Sequence, residues 1–202
     1  MAPVLNNSMA WLIDELYSEC LKSGNYSIVK EYLPILDDTE QYELSNHLFW
    51  KALIGRKWWL AEICLSNGVC LVPRETYDCG PLHNAMSFCG DSPDIIEWLL
   101  AHGAEINRRD WSQANSTPLI HATASCLNET VDLLLRHGAN PNESTIIDND
   151  DTALLMAIKT NNVKAIKLLL EYGADSTIKN RWNQDAATLA KQKGLSILEG
   201  KR

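Results

Sequence analysis

The chain has 202 residues, of which 46% are apolar and 22% charged, and its formal net charge is −8. These values are typical of one globular domain and exclude an intrinsically disordered chain. The apolar run Trp58–Leu65 contains Glu62 and is far shorter than the roughly 20 apolar residues of a membrane-spanning helix. The N-terminus lacks a basic segment followed by an apolar one, so we expect a cytoplasmic location and six reduced cysteines.

The charge is unevenly distributed along the chain. Residues 1–150 carry 21 acidic and 9 basic side chains, whereas residues 151–202 carry 5 acidic and 9 basic ones. The acidic excess opposes nucleic-acid binding, because Lys and Arg must neutralise the phosphates. It favours a basic protein partner.

The predicted elements follow a repeat of 35 residues, marked by Gly68, Gly103, Gly138 and Gly173. Each block predicts a helix, a turn, a second helix that ends at the glycine, and a loop. Six segments follow one another in chain order: 9–46, 47–79, 80–115, 116–150, 151–180 and 181–202. The first and last diverge from the pattern, as the capping units of a repeat array do.

Two signals locate the first helix of a block. Thr117-Pro118 and Thr152-Ala153 each predict a helix cap followed by the first helical residue. A small side chain also recurs inside this helix, which allows neighbouring helices to approach closely; it is found at Ala52, Ala85, Ala122, Ala157 and Ala190.

The three central blocks resemble the ankyrin repeat family, whose pattern is Thr-Pro-Leu-His-x-Ala, then Val-x-x-Leu-Leu and Gly-Ala-x-x-Asn. The matching segments are Pro81–Ala85 with Leu99–Asn107, Thr117–Ala122 with Leu133–Asn142, and Thr152–Ala157 with Leu168–Asp175. The resemblance implies an all-α solenoid of stacked helix pairs with projecting finger loops, in one domain spanning 1–202. It also implies protein binding without enzymatic activity or a cofactor.

A zinc or thiol site is the main chemical alternative. Cys70, Cys79, His83 and Cys89 lie close together in the sequence, but their spacing matches no compact zinc knuckle. The resemblance assigns His83 to the family's structural histidine. No nucleophile elbow, phosphate-binding loop or His-Glu-x-x-His motif occurs. An enzyme with a hidden thiol or zinc site therefore stays an alternative without positive support.

Three insertions of two residues depart from the family pattern. Asp110–Asn115 and Ser144–Asp151 lengthen two fingers, and Cys89–Pro93 lengthens a turn between helices. Because insertions lie in loops, where binding specificity usually resides, we expect them to bear on partner choice.

The predicted partner-binding residues lie on the fingers and combine aromatic, basic, apolar and acidic side chains: Arg108, Arg109, Trp111, Ile146, Ile147, Asp148, Asp150, Arg181 and Trp182. Trp and Arg dominate binding hot spots, and a pair of loop isoleucines needs burial somewhere. The alternative is that each Trp packs on a neighbouring finger and that Asp151 caps the next helix. A second possible docking face is the acidic first helix around Asp14, Glu15 and Glu19.

The predicted mechanism is stoichiometric binding that blocks a protein partner. With no second domain, anchor or long tail predicted, the chain acts by occupying a surface, and it is monomeric when free. Short ankyrin proteins of this kind resemble immunity or antitoxin proteins that neutralise a toxin. The alternative is an adaptor or effector scaffold that bridges host proteins.

Overall fold

The computed structural model describes residues 7–32, 38–69, 71, 80–110, 115–147 and 149–195. All the regular secondary structure in these ranges is helical. These residues form eleven α-helices and no sheet, with only isolated bridges at two loops. The all-α prediction is therefore confirmed. None of the described helices has the length and apolar character to cross a membrane. The chain divides into two compact units, Met1–Cys70 and Leu71–Arg202, and each is described by itself.

The first unit contains four helices: α1 (Asn7–Ser23), α2 (Ser27–Tyr32), α3 (Asp38–Ile54) and α4 (Trp58–Ser66). Helix α3 contacts both α1 and α4, and α1 contacts α2. Leu16, Leu48 and Leu60, one from each of the three longer helices, are fully buried. The core of this unit is thus built from the apolar sides of α1, α3 and α4, together with Val29 of α2.

The second unit contains three helix pairs and a closing helix: α5 (Pro81–Cys89), α6 (Pro93–Ala101), α7 (Pro118–Ala124), α8 (Asn128–Arg136), α9 (Ala153–Lys159), α10 (Val163–Glu171) and α11 (Ala186–Lys193). The first helices α5, α7, α9 and α11 contact one another in sequence, and so do the second helices α6, α8 and α10. Each pair therefore stacks on the next, as in a solenoid.

The predicted helix boundaries of the second unit are confirmed. The hydroxyl oxygen of Thr117 accepts a hydrogen bond from the Ile120 amide at 3.4 Å, and that of Thr152 accepts one from Leu155 at 3.3 Å. Gly138 and Gly173 follow the second helices with φ of 85° and 84°, a backbone conformation that favours glycine. Local sequence signals thus set both ends of the helix pairs.

The lengthened turn between α5 and α6 has a role in folding. Helix α8 has Leu127 at its N-cap, and this side chain cannot accept a hydrogen bond. Asp91, in the turn Cys89–Pro93, takes over that function. Its carboxylate oxygens accept hydrogen bonds from the Glu129 amide at 3.1 Å and the Thr130 amide at 2.8 Å. The inserted segment therefore caps the second helix of the next pair and joins the two pairs.

Asp91→Ala is expected to lower the free energy of unfolding by about 1–2 kcal/mol, because two amides at the start of α8 lose their acceptor. Urea denaturation measures the change. Glu97→Ala, which removes an equal charge from an exposed position on α6, is the matched control. If both variants lose the same stability, the cap across the two pairs is not what Asp91 contributes.

Candidate functional site

Three finger loops of the second unit carry the predicted partner-binding residues. We define finger 1 as residues 103–117, between α6 and α7; finger 2 as residues 138–152, between α8 and α9; and finger 3 as residues 173–185, between α10 and α11. Trp111 of finger 1 and Asp148 of finger 2 lie outside the described residues. The other predicted site residues are described below.

A repeated asparagine joins the base of each finger to the next. The side-chain oxygen of Asn107 accepts a hydrogen bond from the Asn140 amide at 3.1 Å. One repeat later, the side-chain oxygen of Asn142 accepts one from the Asp175 amide at 2.7 Å. Because side chain and backbone are paired in the same way twice, the fingers stand in a fixed spacing.

Arg109 adds a second link between fingers 1 and 2. Its Nη1 donates to the carbonyl oxygens of Asn115 at 2.9 Å and Ser144 at 2.7 Å, and its Nη2 forms an ion pair with Glu143. The side chain of Arg108 is also largely buried, and its Nη1 lies 3.5 Å from a carboxylate oxygen of Glu105. Both arginines therefore have partners within the fingers, and their contact with an external protein stays a prediction.

Asp151 links finger 2 to finger 3, and the prediction that it caps the next helix is wrong. Thr152 caps α9, and Asp151 is 1% exposed. Its carboxylate forms an ion pair with Lys159 and accepts a hydrogen bond from the Asn180 side chain at 3.2 Å. The residue adjoins the cap position, but its side chain is directed toward the last finger.

Finger 3 is a tight turn built around buried Asn180. The side-chain oxygen of Asn180 accepts hydrogen bonds from the amides of Trp182 at 3.1 Å and Gln184 at 3.0 Å. The Arg181 amide donates to the Asn149 carbonyl at 3.0 Å, and the Arg181 Nε lies 3.5 Å from the Asp150 carboxylate. The backbone of the turn is thus held against finger 2.

The side chains at the ends of these two fingers remain open to solvent. Ile146, Ile147 and Trp182 are 54%, 55% and 56% exposed. Lys159 lies over the indole of Trp182, with its Nζ 5.4 Å from the ring centroid. We call Ile146, Ile147, Arg181 and Trp182 the finger-tip surface. It consists of two isoleucines on finger 2 and an adjacent arginine and tryptophan on finger 3, where Asn180 holds the Trp182 amide.

The sequence did not predict Lys159, Asp151 and Asn180 as the support of this surface. Asp151 and Asn180 are 29 residues apart, so their contact does not follow the 35-residue period. The sequence shows a lysine in the last turn of α9, but this is the helix end away from finger 2 and does not indicate a contact with Asp151.

The acidic face predicted as an alternative docking site lies in the first unit. Asp14 forms an ion pair with Lys51, and Glu19 lies 2.6 Å from Lys22. Two of its three acids are thus matched by lysines of the same unit. Trp11 on the same helix is 65% exposed.

The predicted zinc alternative gains no support from the described residues. Cys70 and Cys79 lie outside them, and no group of three or more His, Cys, Asp or Glu within them could hold a metal ion. His83 is buried instead, with its ring centroid 5.5 Å from that of His121. Burial lowers the pKa of His83 to about 4, although the nearby Asp110 opposes the shift. Burial also lowers the pKa of His121, again against Asp110.

Stability is expected to depend on pH through these histidines. Their pKa values in the folded state lie below the ordinary 6.5, so the unfolded chain takes up protons first as the pH falls. The neutral histidines contribute fully to the free energy of unfolding above their ordinary pKa of 6.5, and this contribution is lost as the pH falls toward 4. Between pH 6.5 and 5, His83 alone should account for about 2 kcal/mol.

Urea denaturation across this pH range measures the effect, and His83→Gln is the variant to compare. A neutral side chain in the same place should flatten the pH dependence of stability. An unchanged slope in the variant would mean that His83 titrates alike in the folded and unfolded chains.

Comparison with known proteins agrees with the architecture. The family model described as ankyrin repeats, in three copies, matches residues 82–180. That range runs from α5 to Asn180 in finger 3, so it contains Ile146 and Ile147 of the finger-tip surface and ends directly before Arg181 and Trp182. No curated protein matches the chain.

Proposed function

We propose that this chain, whose residues 82–180 belong to the ankyrin repeat family, binds a protein partner stoichiometrically through the finger-tip surface and blocks it. Ankyrin repeats are protein–protein interaction modules and typically have no enzymatic activity. The observation that carries the proposal is the exposure of three large apolar side chains on two adjoining fingers. Exposed apolar groups that stand together mark interaction sites more often than single ones do.

The surface has the composition and the rigidity of a binding site. Trp and Arg are the residues most enriched among binding hot spots, and Trp182 and Arg181 are adjacent. Asn180 and Asn149 hold the backbone of both residues before any partner arrives. A preorganised surface loses less conformational entropy on binding, so more of the contact energy contributes to affinity.

Blocking is the mode of action that suits this arrangement best. A row of fingers covers an extended area of a partner, and burial of one large apolar side chain contributes about 1.5–3 kcal/mol. An inhibitor of the immunity or antitoxin type needs no more than such a surface with high affinity. An adaptor would in addition need a second face for a second partner.

Copurification with the tagged full chain at its natural expression level tests the proposal. One tight partner in equimolar amount favours the blocking inhibitor, whereas two partners on separate faces favour the adaptor. Loss of the partner's own activity on titration with the purified chain, complete at an equimolar ratio, separates blocking from simple binding.

The decisive variant is Trp182→Ala. We expect it to weaken partner binding by about 2 kcal/mol, or some thirtyfold in Kd, because a buried tryptophan anchor is lost. Stability should change by less than about 1 kcal/mol, because an exposed loop side chain adds little to the core. Isothermal titration measures the first and urea denaturation the second.

Val163→Ala is the matched control, since Val163 is an exposed apolar residue at the start of α10, on a second helix rather than a finger. It should leave Kd unchanged. If Trp182→Ala and the native chain bind the partner with equal affinity, the docking face lies elsewhere. Asp14 and Glu15 on α1 are then the next residues to replace.

A further inference from the structure

We propose that the finger-tip surface recognises a carboxylate next to an apolar side chain, on an exposed loop or helix end of the partner. This inference rests on the proposed function and names the chemistry of its contact. Arg181 provides the charge-assisted hydrogen bonds to the carboxylate. Trp182, Ile146 and Ile147 provide the apolar contact beside it.

Arg181 has hydrogen-bonding capacity to spare. Among the described residues its side chain meets only Asp150, through Nε at 3.5 Å, and it is 53% exposed. No described residue accepts a hydrogen bond from the two terminal nitrogens of the guanidinium, which carry four N–H donors. A planar guanidinium binds a carboxylate through two parallel hydrogen bonds, and this geometry needs two adjacent nitrogens.

Both described aspartates near the finger tips already have a cationic partner. The carboxylate of Asp151 is buried and already bound by Lys159 and Asn180, so it presents no negative charge to a partner. Asp150 is half exposed but lies against Arg181.

The apolar neighbours strengthen the same interaction. An ion pair in full contact with water contributes little, because solvent screens it. When a partner's apolar side chain packs on Trp182, the residue next to Arg181 in the chain, water leaves the vicinity of the guanidinium, and its ion pair with the partner becomes stronger. The recognised feature is for this reason an acidic residue with an apolar neighbour, and not an acidic run.

A displayed library of random peptides of about a dozen residues, selected on the immobilised full chain, tests the inference. We expect enrichment of Asp or Glu beside Leu, Ile, Phe or Trp. A synthetic peptide of the enriched sequence should lose at least about tenfold in affinity with Arg181→Glu. Arg181→Lys should retain part of the affinity, because it keeps the charge and loses the paired geometry.

Two further variants make the test specific for this arginine. Lys167→Glu, which makes the same charge reversal at an exposed position of α10, should leave peptide affinity unchanged. Asp150→Asn removes the anion that the described residues place beside Arg181, and it should tighten binding a few-fold. In a selection on the Arg181→Glu chain, the preference should move from Asp and Glu to Lys and Arg.

The other outcomes overturn the inference in distinguishable ways. Peptides that lose affinity with Trp182→Ala but not with Arg181→Glu overturn the carboxylate and leave the proposed function standing. Enrichment of Lys and Arg on the native chain also overturns it and supports an acidic contact for a basic partner. A selection without any binder that depends on Trp182 overturns both proposals.

Discussion

Asp151→Ala is expected to lower the free energy of unfolding of the second unit by about 3 kcal/mol. The carboxylate is 1% exposed, and its removal takes the ion partner from Lys159 and a hydrogen-bond acceptor from Asn180. Removing one member of a buried ion pair costs about 3–5 kcal/mol, mostly because the remaining charge is buried alone. Lys159 is 26% exposed and can be partly hydrated, so the lower end of that range applies.

Urea denaturation of three variants separates the causes. Asp151→Asn keeps an acceptor for Asn180 and loses the ion pair, so it should lie between the native chain and Asp151→Ala. Asp150→Ala removes the same charge from the neighbouring, half-exposed residue and should cost less than about 1 kcal/mol. Equal losses for Asp150→Ala and Asp151→Ala would contradict the role of the buried network.

The same substitution should also affect the finger-tip surface. Asn180 holds the Trp182 amide, and Asp151 holds Asn180. Once the carboxylate is gone, finger 3 loses one of its side-chain links to finger 2, and Asn180, which holds the Trp182 amide, is held less firmly. Partner affinity should therefore fall in Asp151→Ala even though no residue of the finger-tip surface has changed.

The parts of the fold that could be predicted from the sequence depend on local signals. A threonine before an apolar helix can cap only that helix, and a glycine after the second helix marks its end, so Thr117, Thr152, Gly138 and Gly173 were placed correctly. The repeat strengthens each of these predictions, because the same cap and glycine signals recur in blocks of 35 residues.

Contacts between helix pairs could not be predicted in this way. Asp91 is 38 and 39 residues from the amides that it caps, and no described residue at the corresponding position of another pair repeats the contact. A local rule predicts that Asp151 caps α9, since an aspartate before a helix is a good cap. Only one residue can hold the cap position, and Thr152 holds it. Tertiary contacts that occur once leave no periodic signal.

The sequence predicts which residue types belong to the candidate site, but it predicts only partly which of these side chains are exposed. The exposure of Ile146, Ile147 and Trp182 agrees with the reasoning that loop apolar residues need a partner. Arg109 shows the limit of this reasoning. Its side chain links two fingers by hydrogen bonds, but the sequence does not distinguish such an arginine from one that is free to bind a partner. Side-chain direction decides between them, and it follows from the three-dimensional packing of the fingers.

Ala157→Leu is expected to cost about 3 kcal/mol in the free energy of unfolding, at the upper end of what an overpacked core position usually costs. Ala157 is fully buried in α9, which contacts the first helices α7 and α11 on either side and its own partner α10. A leucine there must displace neighbours on several sides at once. In a solenoid, stability depends on the interfaces between adjacent units, so the substitution weakens more than one interface.

Urea denaturation measures the total loss of stability, and hydrogen exchange shows which helices are destabilised. Amides of α9, α10 and α11 should lose protection in Ala157→Leu, whereas those of α5 and α6, which do not contact α9 appreciably, should keep most of theirs. Ala187→Leu, on the exposed side of α11, inserts the same side chain without crowding and should leave stability nearly unchanged. Since finger 3 lies between α10 and α11, partner affinity should fall with the loss of protection there. An Ala157→Leu chain that keeps native protection in α11 would show that the helix pairs are less tightly coupled than their contacts indicate.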